Sequence, residues 1–114
     1  MGIFREDTEA NIVRLAEKIV KLRIVNDENG KMSKSILDTG GSIMVVSQFT
    51  LLADTSGGNR PSFIQAASPE KAKQLYEVFV ETLKKRGVKK VVTGAFGTYM
   101  QVRLANDGPV TIIL

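Results

Sequence analysis

Histidine and cysteine are both absent from this 114-residue chain. Without cysteine there are no disulfides, no thiolate nucleophile and no Cys-ligated metal, a usage that suits a cytoplasmic protein. Without histidine there is no Ser-His-Asp triad, no imidazole general base and no His-ligated zinc. An enzyme built from this sequence must work with hydroxyls, amides, carboxylates, amines or groups on its own substrate, and no cofactor or metal is expected. No apolar run approaches the ~20 residues of a membrane span, no signal-peptide pattern opens the chain, and no membrane partner is expected. The formal charge of +4 and pI near 9.5 are compatible with a nucleic-acid partner but do not by themselves argue for one.

What is present reads as one soluble domain, residues 1–114, with 43% hydrophobic and 25% charged residues. A first helix is predicted from about Thr8 to Arg23. Asp7 or Thr8 caps it, and Ile12, Leu15, Ala16, Ile19 and Val20 form one apolar stripe. Leu22 to Val25 and Lys31 to Leu37 read as short strands around the turn Asn26 to Gly30, followed by a second turn from Asp38 to Gly41. The β-branched run within Ser42 to Phe49 reads as a strand buried on both faces. Ser68-Pro69 opens a second helix that runs to about Arg86, where Gly87 ends it. Val88 to Thr93 is a further strand. Met100, Val102 and Leu104 alternate with polar residues at strand period, and Val110 to Leu114 reads as a final strand. The fold class is α+β with a largely antiparallel sheet.

Four segments are candidates for chemistry. Ser47-Gln48-Phe49-Thr50 stands where the buried strand runs out. Backbone N–H groups there suit an oxyanion, and the Ser47 or Thr50 hydroxyl is a nucleophile only beside a base. The same polar residues also serve simply to end a strand. Asn106-Asp107-Gly108-Pro109 is built of turn formers. Gly94-Ala95-Phe96-Gly97 sets an aromatic ring between glycines, which allow either a bend or close approach to a ligand. Lys84-Lys85-Arg86 with Lys89-Lys90 gathers five cations at one helix end, either complementing its dipole or contacting phosphates.

Taken in order, the segments resemble the D-aminoacyl-tRNA deacylases, also called D-tyrosyl-tRNA deacylases. The matching stretches are Ala16 to Ile19, Val45 to Leu51, Ala53 to Thr55, Arg60-Pro61-Ser62-Phe63, Gly94 to Gly97, Met100 to Val102 and Asn106 to Thr111. The resemblance implies hydrolysis of the ester between a D-amino acid and the tRNA 3′ end, and of glycine mischarged on alanine tRNA. It implies barrel-like sheets with two flanking helices, in a homodimer. Gly108-Pro109 would be a cis pair inserted into the partner's site, its carbonyl oxygens reading the substrate amine and its position excluding L side chains. Ser47, Gln48, Phe49 and Thr50 would line the facing pocket, with Phe96 and Met100 holding the terminal adenosine. The 2′-hydroxyl of the ribose would assist water, and amides near Phe49 and Thr50 would stabilise the oxyanion. A Thr50 nucleophile is the other mechanism considered for the family, but no partner base for it is visible in the sequence.

Family members also carry strands upstream of the first helix, including a Gln-Arg-Val segment with no counterpart here. The expectation is therefore an N-terminally truncated member. The competing expectation is a non-catalytic RNA-binding or dimerisation fragment.

Overall fold

The computed structural model describes residues 1–114. Helix α1 spans Glu9–Lys21. Thr8 caps it through a reciprocal box: its hydroxyl accepts from the Asn11 amide at 3.4 Å, and Asn11 Oδ1 accepts from the Thr8 amide at 3.0 Å. Ile12, Ala16 and Val20, four residues apart, form its fully buried line, flanked by the half-buried Leu15 and Ile19.

Strands β1 (Val25–Asn26) and β2 (Met32–Lys34) pair antiparallel. Asp27 organises the turn between them. Its carboxylate accepts from the amides of Asn29 and Lys31 and from the Ser33 hydroxyl at 2.8–3.0 Å. These donors, the Ser33 hydroxyl foremost, hold the carboxyl below its usual range. The return strand stops at Lys34, short of the expected Leu37. Ser35 and Asp38 form a second capping box and start the one-turn helix α2 (Ile36–Thr39), which Gly40 ends at φ 64°. Two amide–side-chain bonds outcompete further ladder pairing there.

Strand β3 (Ser42–Val45) pairs in parallel with β4 (Lys90–Thr93), Ser42 opposite Lys90 and Val45 opposite Thr93. A parallel pair needs a crossover, and helix α3 (Pro69–Lys85) supplies most of it. Ser68 caps α3, Pro69 occupies its first turn, and Gly87 at φ 97° turns the chain past its end. Leu75, Tyr76, Phe79, Val80, Thr82 and Leu83 are its buried face, packed against α1. Together with Ile3, Val45 and Val88 these elements enclose a core of 11 buried apolar residues.

Two expected strands do not form. Met100 to Leu104 and Val110 to Leu114 keep their alternating sequence but enter no ladder, and every residue from Gln101 to Leu114 is exposed. Alternation shows which side of a strand is apolar. A strand also needs a neighbour to accept its backbone hydrogen bonds. The sheets are therefore one antiparallel pair and one parallel pair, not largely antiparallel, and they close no barrel. The fold class remains α+β. The radius of gyration, 15.6 Å, exceeds the ~13 Å of a compact chain of about this length, as an outlying C-terminal segment requires. No helix is long and apolar enough to cross a membrane.

Candidate functional site

Residues 1–5 lie between two other segments. The Gln48 amide donates to the Met1 carbonyl at 2.8 Å on one side, while Ala67 N–H donates to Ile3 and Arg5 N–H to Gln65, both at 2.9 Å, on the other. This arrangement holds the exit of β3 beside the entry to α3. Between them opens a cleft of about 730 Å³. Ile3 contributes to its base, and Val46, Ser47, Gln48 and Phe49 line the β3 exit. Pro69 and Ala72 come from the start of α3, and the loop from Phe96 to Met100 completes the enclosure.

Each wall has a local cause. Asp54 and Ser62 exchange two backbone hydrogen bonds of 2.9 Å, closing the loop between them and returning Phe63 to Phe49. Those two rings meet edge to face with centroids 4.9 Å apart. Gly94 allows Met100 to fold back over the loop, since a Cβ on Gly94 would lie 2.5 Å from the Met100 sulfur. Phe96 is held by Tyr76, whose ring lies 5.7 Å away. The buried Tyr76 hydroxyl donates to the Val45 carbonyl at 2.8 Å, joining α3 to β3 one residue before the cleft-lining Val46. Burial pushes this phenol's pKa up, so the hydroxyl stays a donor. Tyr76→Phe is expected to lower stability by about 1 kcal/mol, a value readable from urea unfolding at unchanged m. An unaltered midpoint would show that the bond to Val45 contributes nothing.

The site residues expected from sequence divide into three groups. Ser47, Gln48, Phe49, Phe96 and Met100 line the one cleft. Thr50 stands just outside its lining, its hydroxyl taking a hydrogen bond from the Gln48 side-chain amide. Gly108 and Pro109, joined by a cis peptide bond, lie in the exposed C-terminal segment and do not line this cleft. Two aromatics not singled out from sequence line it as well. Phe63 sits in the quoted Arg60-to-Phe63 stretch, and Tyr99, 94% exposed, stands at the mouth next to Met100.

The electrostatic character follows from this lining. None of its 16 residues is Asp, Glu, Lys, Arg or His. The polar groups on offer are hydroxyls, the Gln48 amide and backbone. Residues Phe49–Leu52 form a 3₁₀ turn at the cleft's edge. The amides of Phe49 and Thr50 open that turn, so neither has an acceptor within it.

A model of the D-Tyr-tRNA(Tyr) deacylase family matches residues 1–114. The chain belongs to that family. Proteins named D-aminoacyl-tRNA deacylase are similar to it throughout. Those of Thermosipho melanesiensis and Clostridium botulinum are 54% and 56% identical over 114 residues, which is all of this chain and 76% of each relative. The solved structure titled c-Myc DNA Unwinding Element Binding Protein superposes with a TM-score of 0.90 at 44% identity, covering 98% of this chain and 76% of that one. A probable eukaryotic D-amino acid tRNA deacylase shares the fold, with a TM-score of 0.78 at 18% identity over 96% of this chain and 77% of that one. The α+β fold is thus that of the deacylase family.

Proposed function

We propose that this chain hydrolyses the ester bond of D-aminoacyl-tRNA, releasing the free D-amino acid and tRNA, and acts likewise on glycine mischarged on alanine tRNA. The observation that carries this reading, alongside family membership, is the uncharged cleft that brings Ser47-Gln48-Phe49 together with Phe96 and Met100. In this reading Phe96 and Met100 hold the terminal adenosine. The aminoacyl ester then lies over the β3 exit. Water adds to the ester carbonyl carbon, assisted by the 2′-hydroxyl of the terminal ribose, since the lining offers no basic side chain. Negative charge gathers on the carbonyl oxygen, where the amides of Phe49 and Thr50 meet it. A single donor of this kind is typically worth ~10²–10³ in rate. The bond to the 3′ oxygen breaks, and that oxygen leaves with a proton. Thr50 takes no covalent part, because its hydroxyl is engaged by Gln48 and has no base beside it.

Chiral choice falls to the Gly108-Pro109 turn of a second copy. Its carbonyl oxygens would accept from the substrate's α-amino group, leaving room for hydrogen or a D side chain and none for an L side chain. A homodimer suits the surface. Val102, Leu104, Val110 and Ile112 stand about half exposed or more in a segment without ladder partners, and Met44 lies opposite Val92 on the open face of the parallel pair. Pairing these across two copies would bury them and extend the sheets towards the barrel-like arrangement of the family.

The test is release of tyrosine from D-Tyr-tRNA and L-Tyr-tRNA by the dimeric fraction of a sizing column. The D-ester is expected to be hydrolysed and the L-ester spared. Equal rates on both, or no reaction with the D-ester, overturns the reading.

A further inference from the structure

Helices α1 and α3 begin on either side of the Phe4–Ala66 bridge, and the Glu17–Arg86 ion pair ties their C-terminal halves together. They run in the same direction and end at the same pole. That pole carries Lys18 and Lys21 in the last turn of α1, Lys84 and Lys85 in the last turn of α3, then Arg86, Lys89 and Lys90. Glu17 is engaged with Arg86, Glu81 with Lys84, and Asp38 of the neighbouring α2 with Ser35. Lys18, Lys21, Lys85, Lys89 and Lys90 take part in none of the chain's ion pairs. Helix dipoles account for cations in the last turns. They do not account for Lys90, which lies in β4. Like charges on one face repel one another, and a polyanionic partner relieves that repulsion.

The pole also has a fixed relation to the cleft. Strand β4 leads from Lys90 straight to the Gly94–Met100 loop, and α3 has Pro69 at the cleft and Lys85 at the pole. Seventeen helical residues place the two ends roughly 25 Å apart. A tRNA presents a single-stranded 3′ end continuous with a duplex stem. With its last nucleotide in the cleft, the stem lies outside it, where the pole offers cations.

We infer that the Lys85, Lys89 and Lys90 surface binds the phosphate backbone of the tRNA acceptor stem, positioning the 3′ end without reading sequence. The inference rests on the proposed action on aminoacyl-tRNA. Phosphate contacts set register and supply salt-dependent affinity rather than specificity.

The experiment titrates uncharged tRNA against the protein over a series of KCl concentrations, for the unaltered chain and for Lys85→Ala/Lys89→Ala/Lys90→Ala. Three lost phosphate contacts are expected to reduce the slope of log K against log salt by about 2 to 3, and to weaken binding at low salt by roughly tenfold or more. The corresponding triple arginine variant is expected to restore both, showing that charge rather than folding is responsible. Hydrolysis of D-tyrosyl-adenosine, which has no stem, is expected to be unchanged in the alanine variant. An unchanged slope and affinity overturn the inference even if D-Tyr-tRNA is hydrolysed. If the slope falls as expected while neither D-ester is cleaved, the surface stands and the hydrolytic reading fails.

Discussion

Leu83→Ala is expected to remove about 2–5 kcal/mol of stability and to lower the melting temperature by about 10 °C or more. Leu83 has no solvent exposure and belongs to the α3 face that packs against α1. Only 13 of the 114 residues are buried, so the core has little redundancy with which to absorb a cavity. A domain of this size is stable by about 5–15 kcal/mol in total, so the substitution takes a large share. Leu104→Ala makes the same chemical change at a site that is 64% exposed and in no ladder, and is expected to shift stability by less than about 0.5 kcal/mol in the isolated chain. Thermal unfolding of the monomeric fractions of the two variants side by side checks the assignment. Similar losses from both would mean that the C-terminal segment is packed, contrary to its exposure.

That contrast also shows why some elements were legible in the sequence and others were not. The two long helices were readable because their causes are local. Thr8 and Ser68 offer caps, Pro69 fits a first turn, and the apolar stripes repeat at helical spacing. The parallel pairing of β3 with β4 was not readable, because it depends on contacts between residues nearly fifty positions apart. Strands at 100–104 and 110–114 failed for a related reason: alternation is a property of one segment, whereas a ladder is a property of two. The start of α2 at Ser35 is ambiguous in sequence: Ser35-Ile36-Leu37-Asp38 has capping-box spacing, but the apolar pair inside it reads equally well as strand.

The site was legible in a different way. The missing histidine removes the imidazole base and leaves carboxylates and amines open; that none of these lines the cleft is a matter of the fold. Ser47, Gln48, Phe49, Phe96 and Met100 were grouped by resemblance, and the fold brings them to one cleft. The place of Phe63 is not legible locally, because it depends on the Asp54–Ser62 closure, which no local pattern announces. The role of residues 1–5 is hidden for the same reason. Their backbone, not their side-chain chemistry, spaces the β3 exit from the start of α3.

Phe96→Ala is expected to reduce kcat/KM for D-Tyr-tRNA by about 10- to 100-fold, chiefly through KM. Stacking of a base on an aromatic ring is worth ~1–3 kcal/mol by alanine substitution, and each 1.4 kcal/mol is about tenfold. The Phe96 ring lines the cleft on one side and leans on Tyr76 on the other, so it is held in place before any substrate arrives. In the proposed role its loss removes binding that the ester's ground state and transition state share, so kcat is expected to change little. Phe96→Tyr keeps the ring and is expected to retain most of the activity, which distinguishes loss of stacking from collapse of the cleft. The L-ester is expected to remain uncleaved in every variant, because the proposal gives chirality to the Gly108-Pro109 turn and not to this wall. A fall confined to kcat would move Phe96 from adenosine binding to the alignment of the reacting ester. Unchanged kinetics would remove it from the site altogether.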